Sequence, residues 1–92
     1  MYANLDNEKT YISTATTTQV VSSPAILVGI VVNTTAAGTI GIIDGTSGTT
    51  VNVGQLKASV AEGTYTYNCI MKSGIRIVTG AASDITVLWK SL

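Results

Sequence analysis

The apolar positions of this chain fall in short runs cut by glycines and turn residues, and no segment of helix length carries a three-to-four spacing. The clearest run is Ala25-Ile-Leu-Val-Gly-Ile-Val-Val-Asn33, followed after a short link by Gly38-Thr-Ile-Gly-Ile-Ile-Asp-Gly45. These read as two buried strands joined by a tight connection. Within 25–33 both alternation sets are apolar, which is the pattern of a central strand covered on both faces. Gly29 interrupts the run and marks a bulge or a close approach of another backbone. In 39–44, Ile40 and Ile42 share one face and Ile43 takes the other.

The same period-two pattern extends along the chain. Residues 10–22 are rich in Thr and Val, which suit a pleated surface, and predict strands near 11–14 and 17–22. Ser22-Ser-Pro24 ends them, because proline removes a ladder donor. Asp44-Gly-Thr-Ser-Gly48 is a turn signal, since Asp and Gly tolerate the dihedrals of a hairpin turn. Residues 49–53 alternate, with Val51 and Val53 expected inward. Residues 55–61 read equally as a short strand or a helical turn. In 64–71, Tyr65, Tyr67, Cys69 and Met71 share one face, while Thr64, Thr66, Asn68 and Ile70 share the other. Strands at 75–79 and 85–90 complete the series, the last with Ile85, Val87 and Trp89 on one side. About eight short strands, spaced by roughly 8 to 12 residues, predict an all-β antiparallel sandwich or small barrel. The single domain spans 10–92. Residues 1–9, with Asn4, Asp6, Asn7 and Glu8, read as a polar arm. Such an arm is either a frayed terminus or a segment that reaches a neighbouring subunit.

Composition sharpens this picture. Hydrophobic residues make up 46% of the 92, but charged residues only 11%, against about 25% in ordinary domains. Disordered chains are charge-rich and apolar-poor, so a folded domain is expected. With zero formal net charge there is little colloidal repulsion. That surface suits cover by neighbours, and oligomerisation is expected. Lys9, Lys57, Lys72, Arg76 and Lys90 are scattered, so no electrostatic footprint for nucleic acid exists. No apolar run approaches the ~20 residues of a membrane span, and no membrane partner is expected. The first residues lack the basic start and apolar core of a signal peptide. The initial Met reads as an unprocessed product made in the cytoplasm.

The candidate chemistry is sparse. There is no histidine, so the usual catalytic triads and most zinc sites are unsupported. The single Cys69 permits no intrachain disulfide and reads as a small buried hydrophobe. The carboxylates are Asp6, Glu8, Asp44, Glu62 and Asp84. Asp44, Glu62 and Asp84 sit at turns or strand starts, where solvated capping is their ordinary role. Nothing in their spacing predicts a glycosidase pair, and a calcium site around Asp44 is only weakly signalled. Gly41, Gly45 and Gly48 do not form a phosphate loop, because no Gly-Lys-Ser/Thr and no helix follow. No catalytic residue, metal, cofactor or small-molecule substrate is expected. With no Phe in the chain, Tyr65, Tyr67 and Trp89 are expected at the core or its edge. The alternative is a platform for stacking sugar rings or an interface anchor. The interface candidates are Tyr2, Asn4, Leu5 and Asp6 in the arm, with Tyr11 and Trp89.

Five phrases together carry a likeness: Gly29-Ile-Val-Val-Asn-Thr34, Gly38-Thr-Ile-Gly-Ile-Ile-Asp-Gly-Thr46, Glu62-Gly-Thr-Tyr-Thr-Tyr67, Ser73-Gly-Ile-Arg-Ile-Val-Thr79 and Asp84-Ile-Thr-Val87. In them the chain, from about Ser23 to Trp89, resembles small β-sandwich structural proteins of tailed bacteriophages. Such proteins often serve as capsid decoration (cement) proteins or as small head or tail components. The resemblance implies a jelly-roll sandwich that binds the outer shell as a homotrimer, with the major capsid protein or another virion protein as partner and the virion as its location. It carries over no catalytic residue. The short flanks read as those of a free-standing subunit. The competing expectation is a carbohydrate-binding or adhesin-like module using Trp89, the tyrosines and the Asp44 turn.

Overall fold

The structure is a computed structural model and describes residues 7–92. The arm candidates Tyr2, Asn4, Leu5 and Asp6 lie outside the described residues. Eight strands follow in chain order: β1 (Glu8–Ile12), β2 (Thr17–Val21), β3 (Ala25–Thr34), β4 (Ile40–Asp44), β5 (Gly54–Leu56), β6 (Gly63–Met71), β7 (Ile75–Thr79) and β8 (Asp84–Ser91). Among the described residues there is no helix.

The strands form two four-stranded antiparallel sheets, ordered β1-β8-β3-β6 and β2-β7-β4-β5. The pairings are nested: β1 with β8, β2 with β7, β3 with β6, β4 with β5. One long hairpin rolled over on itself produces this order, and the chain is a jelly-roll sandwich. Successive strands from β1 to β4 therefore alternate between the sheets. The short link between β3 and β4 crosses from one sheet to the other and does not turn a hairpin.

The core lies between the sheets. From the first sheet come Leu27, Ile30, Val32, Ile85 and Val87, and from the second Ile40, Ile42, Ile75 and Ile77, each at most 2% exposed. β-branched side chains fill most of these positions, as suits a pleated surface packed on one face. Ile12, Leu56, Val60 and Met71 close the ends, while Tyr65, Tyr67, Cys69 and Trp89 pack against the core from partly buried positions.

The two apolar alternation sets of β3 have a specific cause. Its register shifts between Leu27 and Gly29 against both β6 and β8. Before the shift Ala25 and Leu27 face the core, and after it Ile30 and Val32 do. The irregularity thus switches which parity is buried. On β6 it coincides with Asn68 in the left-handed region at φ 51°. Gly29 is also the point of close approach, because a Cβ there would sit 2.8 Å from the Tyr65 carbonyl oxygen.

Four expectations need correction. β3 is not covered on both faces: Ile26, Val28 and Val31 stay partly exposed on its outer side. The alternating segment 49–53 is not a strand; the strand is β5, which starts at Gly54 and runs into 55–61, where the short-strand reading holds for its first two residues. Val51 and Val53 do not enter the core, and Val53 is 36% exposed. The first strand starts earlier than residue 11. Glu8 and Lys9, expected in the arm, pair with Trp89 and Leu88 in β1.

Ile30→Ala is expected to cost about 2–5 kcal/mol, because it empties a fully buried site between two sheets. Thr18→Ala, at a half-buried edge position, should cost less than about 1 kcal/mol. Thermal or urea melts of the two variants check this order.

Candidate docking face

The two sheets differ on their outer sides. On β4, Ile43 points away from the inter-sheet core yet is only 3% exposed. Its cover comes from the chain itself, because residues 45–53 fold back over the second sheet. A Cβ on Gly41 would meet the Val51 side chain at 2.6 Å, and Gly45 lies against Ile43. Only glycine at position 41 lets Val51 come down this closely.

Polar contacts hold that loop in place. The Val53 N–H donates to the Ile42 carbonyl at 3.1 Å. The Asp44 N–H donates to Asn52 Oδ1 at 2.8 Å, and Asn52 Nδ2 returns a bond to the Asp44 carbonyl at 3.2 Å. Arg76 Nε donates to the Gly48 carbonyl at 2.8 Å, and its Nη1 donates to Gln19 Oε1 at 2.8 Å. Gln19 Nε2 donates in turn to the Gly45 carbonyl at 2.9 Å. The Asp44 carboxylate accepts from the backbone N–H groups of Lys72 and Ser73 at 2.9 and 2.8 Å. Burial alone pushes its pKa up, but the N–H groups of Ser73, Lys72 and Gly74, with the Lys72 charge, outweigh that and leave it lowered. Asp44 is thus a turn clamp, satisfied by this chain's own backbone.

No described segment lies over the first sheet in the same way. Its outer side shows Ile26, Val28 and Val31 of β3 and Leu88 of β8, all partly exposed, and Ile70 of β6, 61% exposed. Threonines at 64, 66 and 86 surround them. An open depression of ≈ 500 Å³ runs across the sheet, lined by Asn7, Ile26, Val28, Thr66, Asn68 and Lys90. It reaches from Asn7, just before β1, across β8 and β3 to β6. Apolar area of this kind, rimmed by polar groups, is typical of interaction sites.

Tyr11 stands at the other end of this face, 61% exposed. Its hydroxyl donates to Asp84 Oδ2 at 2.7 Å, while Asn33 Nδ2 donates to Asp84 Oδ1 and to Thr86 Oγ1, each at 3.2 Å. The bond to Asp84, with some burial and the carboxylate charge, raises the Tyr11 pKa. Trp89 lies on the opposite, inner side. Its ring packs against the core and its indole N–H donates to Thr10 Oγ1 at 3.2 Å. The two candidates therefore do not share a surface. Cys69 also packs on the core side, where burial, with a contribution from Asp44, raises its thiol pKa. Among the described residues no group of three or more His, Cys, Asp or Glu is placed to hold a metal ion.

The pattern reading did not single out Ile26, Val28 or Ile70. The signal was present in the doubled apolar pattern of 25–33 and in Ile70, the apolar member of an otherwise polar set. Pattern alone could not separate a doubly covered strand from one with a bare apolar face.

Asp44→Ala is expected to lower stability at neutral pH by about 1–2 kcal/mol, through loss of charge-assisted bonds at an exposed site. The lowered pKa means that Asp44 stabilises the fold above the usual carboxylate range. That contribution is lost as pH falls through its folded-state value. The gap between wild type and variant should therefore shrink with acidification in denaturant melts across pH. A constant gap would show that the carboxylate charge is not involved.

No protein-family model, curated protein sequence or solved structure matches the chain.

Proposed function

We propose that this chain is a non-enzymatic structural subunit of a tailed-phage virion, a capsid decoration (cement) protein that binds the outer shell as a homotrimer and stabilises it. In this reading its partner is the major capsid protein. It is made in the host cytoplasm and resides on the particle. The observation that carries the reading is the docking face: a sandwich with one outer side covered by its own loop and the other left apolar and poor in charge. A broad sheet face with an open, shallow depression offers area for association with another protein. The likeness of the strand phrases to phage structural proteins supplies the rest of the support.

A saccharide-binding module is the second reading. It is favoured by the exposed Tyr11 ring beside Asp84 and Asn33, a pairing of stacking surface and hydrogen-bonding groups. Under it, Tyr11→Ala would abolish binding on a glycan array while the fold persists.

The virion reading predicts that mass spectrometry of purified particles finds this chain in many copies. It also predicts that particles lacking it lose resistance to heat, and that adding back purified protein restores the resistance. Its absence from particles overturns the proposal.

A further inference from the structure

We infer that β6 pairs edge to edge with β6 of a second copy of this chain, antiparallel and across a two-fold axis at Tyr65. The contact is two-fold, so it goes beyond the threefold association proposed above and does not rest on it. Where both form, it links one trimer to the next. The two sheets leave four edge strands among the described residues: β1 and β6 in the first, β2 and β5 in the second. A free edge carries a row of unpaired N–H and C=O groups, and natural sheets blunt it with charge, proline, bulges or shortness. β5 has only three residues. β1 carries Glu8 and Lys9, both exposed. β2 has five residues and a register shift between Gln19 and Val21, and Pro24 follows soon after its end. β6 has nine residues without a charge or a proline, and all but Met71 are at least partly exposed. Its one blunting device is the irregularity at which Asn68 takes φ 51°. That lies beyond Thr66 and leaves the stretch from Gly63 to Thr66 in regular register.

Only another strand matches such a row of donors and acceptors, and the residues of β6 select a copy of itself. Thr64-Tyr-Thr66 reads the same in both directions. Turned about Tyr65, the stretch sets Thr64 beside Thr66 of the copy and Tyr65 beside its own counterpart. Thr64 and Thr66 are exposed on the outer side, while Tyr65 is half-buried against the core. Each face of one sheet therefore continues into the like face of the other. Thr–Thr and aromatic pairs are favourable neighbours across antiparallel strands. Gly63 has open space where a side chain would stand. It comes beside Tyr67 of the copy, and an aromatic ring is a good neighbour for an edge glycine. No charged side chain enters the seam between Gly63 and Tyr67. The depression on the outer face ends at Thr66 and Asn68 of β6, so pairing joins the depressions of two copies across the seam. A contact of this kind is isologous, with the same patch on both partners. It is narrow beside the ~1,600 Å² of standard interfaces, so it forms reversibly.

The first test uses the full chain with Cys69→Ala, which removes its one thiol. Thr64→Cys and Thr66→Cys are made in it separately, both at exposed positions. Opposed residues of an antiparallel pair have Cβ atoms about 5 Å apart, close to disulfide reach. Under mild oxidation the mixture of the two is expected to give a linked dimer holding one chain of each, read by mass spectrometry, in clear excess over either variant alone. Equal cross-linking in the mixture and in the single variants marks random collision and overturns the inference. The second test reads solution mass by light scattering after size exclusion over a range of protein concentrations. Wild type is expected to approach an even number of chains as concentration rises. Thr64→Lys with Thr66→Lys, folded by circular dichroism, is expected to keep half that mass, because it places like charges along the seam. A wild type that is monomeric throughout overturns the inference and leaves the edge to a strand of another protein. An odd-numbered assembly, or an even one indifferent to the lysines, overturns it as well. No shell takes part in either test, so failure here leaves incorporation into particles untouched, and absence from particles leaves this result untouched.

Discussion

Leu27 and Ile30 both enter the same core, although regular alternation would place them on opposite faces of β3. The register shift between them makes this possible, and the rest of the sandwich depends on it. β3 is paired on both sides, by β8 and by β6, and both neighbours shift with it. Without that irregularity, Ala25 and Leu27 would face inward while Ile30 and Val32 faced solvent. One half of the strand would then lose its place in the core. Gly29 sits at the shift, where the Tyr65 carbonyl leaves no room for a side chain. The cost of an interrupted ladder is offset by keeping four apolar side chains of one strand in a single core.

The same strand creates the asymmetry between the outer faces. β3 and β4 both carry apolar residues on their outward sets. On β4 the chain meets this with a nine-letter solution of its own, the loop through Gly48 and Val51, pinned by Arg76 and by the Asp44–Asn52 exchange. On β3 the described residues supply no such cover. The polar groups nearby, Tyr11, Asn33, Asp84 and Thr86, satisfy one another across neighbouring strands. What is left is a largely apolar surface, with charged side chains such as Lys90 and Asp84 towards its margins.

Much of the architecture was legible from residues alone. Alternation in 64–71, 75–79 and 85–90 placed β6, β7 and β8 within a residue or two, and Gly29 was correctly marked as a site of backbone irregularity. The failures share a physical origin. Val51 and Val53 alternate like strand residues, yet Val51 packs onto the outside of a sheet through the gap above Gly41. A contact of that kind depends on a residue ten positions away, which no local period can report. Glu8 and Lys9 look like arm residues because they are charged, but an edge strand accommodates charge and is often protected by it. The bare apolar side of the first sheet was hidden for a similar reason, since alternation shows which residues are apolar but not what covers them.

The nested pairing has a consequence for how the molecule is made. Thr10 and Trp89 are hydrogen-bonded across 79 residues of sequence, and Tyr11 and Asp84 across 73. Such distant partners make folding slow, because loop closure precedes any reward from contact. The sheet built of β2, β7, β4 and β5 uses no pairing with β8, whereas β1 has β8 as its sheet neighbour and β3 keeps one edge open until β8 is in place. The face that carries the depression thus comes into existence only with the last strand, so nascent chains have no finished surface through which to associate prematurely.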